Sequence, residues 1–118
     1  MFDEALNELV ARTKGRFAIF CDYEGESIAL ASGDGRDAYD IRVVGAELGA
    51  LVLDLQRRAQ EHGESERLSL VCEASGMTML VEALGGRYYL LLAVPAGAAW
   101  AVARRHLQAV AARFAEEL

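Results

Sequence analysis

Residues 38–62, AYDIRVVGAELGALVLDLQRRAQEH, carry apolar side chains on two separate faces when placed at about 100° per residue, the period of an amphipathic helix. One broad stripe holds Ile41, Val44, Leu48, Leu51, Val52, Leu55 and Ala59, and it is wide enough to cover a sheet. A second, flatter strip holds Val43, Ala46, Gly49, Ala50 and Leu53. Small residues let another backbone approach closely, so this strip reads as a surface for a second protein chain. A helix buried on both sides within one monomer is the alternative.

Asp37 is placed to cap this helix and Asp40 to meet the positive end of its dipole, while Gly63 suits the stop. Upstream, residues 2–13 read as a short amphipathic helix ended by Lys14-Gly15. Residues 16–22 and 27–32 read as strands joined by the polar turn Asp22-Tyr23-Glu24-Gly25. Phe17, Ile19 and Cys21 face one way along the first strand, and Ala18 and Phe20 the other. Downstream, three strands (67–74, 77–84, 87–94) are separated by Ala74-Ser75-Gly76 and Gly85-Gly86. Pro95 is expected to break the sheet before a closing helix at 98–117, with a stripe of Trp100, Ala103, Leu107, Val110, Ala111 and Phe114.

The order α-β-β-α-β-β-β-α predicts an α+β domain: a five-stranded antiparallel sheet with helices on both faces. The first and last helices are expected on one face and the long helix on the other. Strand 67–74 then becomes a sheet edge, where Ser69, Val71 and Glu73 alternate with Leu68, Leu70 and Cys72. An open edge invites pairing, and pairing with its own copy would align two long helices side by side. The predicted dimer interface is therefore Val43, Ala46, Gly49, Ala50 and Leu53 on the helix, with Ser69, Val71 and Glu73 on the strand.

A length of 118 residues predicts one domain spanning 1–118, and a hydrophobic fraction of 53% suits extra buried surface at an oligomer contact. The formal charge of −6 has no basic stripe with it, which excludes a nucleic-acid binder. No apolar run reaches the ~20 residues of a membrane span and no signal-peptide pattern opens the chain, so a cytoplasmic location is expected. Cys21 and Cys72 read as buried, reduced thiols.

Catalytic chemistry is hard to find. His62 sits in the last turn of its helix, where a cation suits the dipole, and His106 flanks the closing helix's stripe. Neither has a ligand partner at short range. Gly33-Asp34-Gly35 lacks the Gly-Lys-Ser/Thr of a phosphate loop, and no metal-binding spacing occurs. No cofactor, no metal and no enzymatic activity are expected.

The stretch FAIFCDYEGESIALAS (17–32), with Asp22 and Gly25 at its turn, resembles the apolar strand, Asp-x-x-Gly turn and second strand of the roadblock/dynein-light-chain family. The resemblance continues through the helix at 38–62, LSLVCEASGMTMLVEALGG (68–86) and YYLLLAVP (88–95), covering nearly the whole chain. It implies a roadblock-like fold and a non-enzymatic homodimeric platform that binds and regulates a Ras-like small GTPase. Bacterial members of this kind include GTPase-activating partners of a gliding-motility GTPase.

Glu47, Asp54, Arg57, Arg58 and Glu61 on the outer side of the long helix are the candidate contacts for that GTPase. Arg36, Arg42, Arg57, Arg58, Arg104 and Arg105 are the arginines available to reach a transition state in trans. Holding the partner's own switch loops in a competent arrangement is the preferred route. A structural adaptor of the same fold and a small-molecule sensor are the alternatives. The sensor reading requires a hollow core, and the bulky set Phe17, Phe20, Leu90, Leu92, Trp100 and Phe114 argues for a filled one.

Overall fold

A computed structural model describes residues 1–63 and 68–118. The elements are α1 (Phe2–Thr13), β1 (Phe17–Asp22), β2 (Ser27–Ser32), α2 (Ala38–Glu61), β3 (Ser69–Ala74), β4 (Met77–Leu84), β5 (Tyr88–Pro95) and α3 (Trp100–Glu117). The element order is the expected one, with boundaries shifted by a residue or two. Residue 67, the expected start of the third strand, lies outside the described residues. Pro95 closes β5 opposite Met77 and does not precede its end, which a terminal position tolerates.

All pairings are antiparallel, and the strand order is β2-β1-β5-β4-β3. The crossover through α2 lets β5 slot beside β1, so the apolar run Tyr89–Val94 occupies the centre of the sheet and is buried on both faces. β2 and β3 are the two edges.

Side-chain alternation splits the interior into two layers. Ala18, Phe20, Leu90 and Leu92 face α1 and α3, where they meet Leu6, Leu9, Leu107 and Phe114. Three aromatic rings close this layer: Phe114 lies 4.7 Å from Phe2 and 4.9 Å from Phe20, centroid to centroid. Trp100 is half-buried against the same layer. Phe17, Ile19, Cys21, Tyr89 and Leu91 face α2.

Asp37 caps α2, its carboxylate accepting from the Tyr39 N–H at 2.9 Å. The row that α2 buries is Ile41, Gly45, Gly49, Val52 and Gln56. This corrects the orientation read from the sequence by about two-thirds of a residue step on the helical wheel. Leu51 and Leu55, assigned to the sheet-covering stripe, are 50% and 36% exposed. Gly49, assigned to the outer strip, lies against the sheet: a Cβ there would stand 1.9 Å from the Tyr89 ring and hydroxyl. The glycine row lets α2 settle on Tyr89, whose Oη donates to the Gly45 carbonyl at 2.9 Å. That close seat rotates the large Leu51 and Leu55 side chains outward.

Candidate functional site

The surface around α2 divides into two flanks and an outer ridge. One flank faces β2 and the β1–β2 turn. Arg42 Nε donates to Ser27 Oγ at 3.3 Å, and Ala46 Cβ lies 3.6 Å from where a Cβ on Gly25 would stand. The turn is held by Asp22, whose Oδ1 accepts from the backbone N–H groups of Glu24 at 2.9 Å and Glu26 at 3.0 Å. Leu53 is on this side as well. It is half-buried, packs on the sheet, and shares with Tyr23, Gln56, Arg57 and Gly86 the lining of an open depression of about 480 Å³.

The opposite flank carries Val44, Leu48, Leu51 and Leu55, and it therefore looks toward the β4–β3 side of the sheet. Below it Leu68, Leu70, Met77 and Met79 are only half-buried on the α2 face. Among the described residues β3 pairs with β4 alone. A step of apolar side chains thus runs from α2 down to an unpaired strand edge, a combination that sheet proteins ordinarily cover.

The predicted interface residues separate accordingly. Val43 and Ala50 are exposed on the outer side of α2, and Ala46 is exposed on its β2 flank. Gly49 is buried beneath the helix and is unavailable to a partner, and Leu53 lies on the flank away from β3. On the edge strand the side chains of Ser69 and Val71 point to the α3 layer: Ser69 Oγ accepts from Arg104 Nε at 3.0 Å, and Val71 packs on the core there. Glu73 is exposed. What β3 offers a partner is its backbone edge, with Leu68, Leu70 and Cys72 on the α2 side. Cys72 is half-buried where full burial was expected. The leucines Leu51 and Leu55 were missed as surface residues because a moment weighted by large side chains cannot see two glycines as the true contact row.

The outer ridge is charged. Arg57 bonds to both Asp54 and Glu61 at 2.7 Å, and Arg58 Nε bonds to Asp54 at 3.0 Å. Hydrogen bonds from Arg57 and Arg58 hold the Asp54 carboxyl below the usual carboxylate range, and Asp54 in turn raises Arg57. Glu47 is exposed on the same ridge.

Arg36 and Arg104 are also engaged. Arg36 lies 4.9 Å from the Phe17 ring centroid and 3.7 Å from Asp34, and Arg104 reaches Ser69 and Glu82. Arg105, on α3 across the sheet, has no acidic partner among the described residues. Cys21 is fully buried, and burial pushes its thiol up to about 11, the opposite of an activated nucleophile. Among the described residues no group of His, Cys, Asp and Glu is placed to hold a metal ion. None of the described helices is long and apolar enough to cross a membrane.

The sequence matches no protein-family model and no curated protein. Solved structures do match. Myxococcus xanthus MglB aligns with a TM-score of 0.84 at 14% identity, over 98% of this chain and 92% of that one. An MglB described in a tetrameric arrangement aligns at 0.84 with 20% identity, over 98% and 85% of the two chains. A roadblock/LC7 domain from Streptomyces avermitilis aligns at 0.76 with 18% identity, over 94% and 92%. At these identities the likeness speaks to architecture, and the helix-strand-strand-helix-strand-strand-strand-helix order with its five-stranded antiparallel sheet is common to them: this chain has the roadblock/LC7 fold, in the form seen in MglB.

Proposed function

We propose that this chain is a non-enzymatic, self-associating platform that binds and regulates a Ras-like small GTPase. The observation that carries this reading is the apolar step from Leu51 and Leu55 on α2 to the open β3 edge. Two copies related by a two-fold axis join β3 to β3 and set the two α2 helices side by side, which covers both features at once. The other edge is less suited, since Arg42 spreads a charged side chain over the start of β2.

Joined in this way, the two charged ridges form one ledge on the far side of the sheet from α1 and α3, and the GTPase docks there. It is regulated through its own switch loops. The ridge arginines Arg57 and Arg58 are already held by Asp54 and Glu61, so inserting either into a transition state would first break those pairs. The MglB relatives in fold and the resemblance in residues 17–32 support the assignment. The fully buried Phe17, Phe20, Leu90 and Leu92 favour it over a sensor with a hollow core.

The test is binding of the purified chain to a co-encoded small GTPase loaded in turn with GTP and GDP analogues. A preference of about tenfold or more for one nucleotide state, weakened by Ala50→Glu, is expected. Equal binding to both states would replace this reading with that of a structural adaptor.

A further inference from the structure

β3 carries the proposed self-pairing edge, yet among the described residues only one neighbouring strand, β4, holds it. A second attachment comes from α3. Glu82 on β4 stands directly opposite Ser69 on β3, and its side chain is 6% exposed. The Ser69 hydroxyl donates to Glu82 Oε2. Gln108 Nε2 donates to the other oxygen, Oε1, at 3.5 Å. Arg104 Nε donates to Ser69 Oγ at 3.0 Å and lies 3.9 Å from Glu82 Oε2. Three elements therefore converge on one buried carboxylate at the first residue of the edge strand.

Such a group is costly to bury, and replacing it with apolar side chains is commonly neutral for stability, so fold stability alone does not account for it. What the cluster does supply is register. A one-residue slip of β3 against β4 would remove Ser69 from Glu82 and turn Leu70 toward α3.

We propose that Glu82, Ser69 and Arg104 form a latch that presets β3 for pairing with a second copy, with Arg104 as the positioning residue. The inference rests on β3 as the self-association edge. A preset edge loses less conformational freedom on pairing, so the latch strengthens association without touching the partner. Arg104 is also the reachable member, its side chain 37% exposed on the α3 side. A contact made on α3 is thereby linked to self-association at the edge.

The experiment measures the dimer dissociation constant of Arg104→Ala and Glu82→Gln by sedimentation, alongside amide exchange across the sheet. Exchange is read in a Leu51→Glu background, at a concentration where sedimentation shows a monomer. The expected result is a dissociation constant raised about tenfold or more. The amides of Leu70, Cys72 and Ala74, which face β4, should exchange about tenfold faster, while those of β1 and β5 stay within a factor of two. Glu82→Gln preserves side-chain shape, so its result stands if Arg104→Ala folds poorly. Equal acceleration across all strands, or an unchanged dissociation constant with slow exchange at β3, overturns the latch. Faster exchange at β3 in these variants, beside a wild-type chain that never dimerises, would instead sink the self-association reading and leave the register role in place.

Discussion

At the residue scale the tightest constraint is Gly49. A methyl there would stand 1.9 Å from the Tyr89 ring, and Tyr89 is wholly buried, so neither partner has room to yield. Gly49→Ala is expected to cost about 2–4 kcal/mol, from overpacking plus strain on the Tyr89–Gly45 hydrogen bond. In a Tyr89→Leu background the same change should cost much less, and a double-mutant cycle by urea denaturation reads the difference. Cys21 gives a second prediction. Its thiol is raised from 9.0 to about 11, chiefly by burial, so the folded state favours the neutral form. The stability this contributes is complete below about pH 9 and is lost as pH rises toward 11. Denaturation midpoints should fall across that window more steeply in the wild type than in Cys21→Ala. A thiol reagent at pH 8 should label Cys21 only on unfolding.

At the scale of elements, strand and turn identity was legible because each depended on local chemistry. Asp22 and Gly25 make the turn through local hydrogen bonds, and alternation along 17–21 assigned each side chain to the correct face. The rotation of α2 was not legible. Both of its faces are apolar, and the choice between them depended on Tyr89, forty residues beyond Gly49, seating against glycine backbone. Periodicity ranks faces by the size of their side chains, whereas close packing here ranks them by what can be left out. The same error placed Gly49 on a partner surface and hid Leu51 and Leu55 under the sheet. The Glu82 cluster was equally invisible, since Ser69, Glu82 and Arg104 belong to three elements and no short-range spacing links them.

At the scale of the whole molecule, the β3-side flank and the outer ridge of α2 make separable claims about assembly and docking. Leu51 and Leu55 face the β3 side and Ala50 the outer ridge, although Ala50 and Leu51 are adjacent in sequence. Leu51→Glu places a charge in the strip that two copies would bury against each other. Desolvating that carboxylate without a partner costs several kcal/mol, enough to raise a dimer dissociation constant by about a thousandfold. Ala50→Glu adds its charge where water remains, so the dimer should persist while GTPase binding weakens. Sedimentation of both variants decides between these geometries. A dimer broken by Ala50→Glu and untouched by Leu51→Glu would return the interface to the small-residue strip and show that the β3 edge is covered by something other than a second copy. Loss of the dimer in Leu51→Glu alone, with a cooperative unfolding transition retained, would tie the apolar step and the open edge to one contact. That separation follows from the seat of a single tyrosine against two glycines, which turned one row of leucines outward.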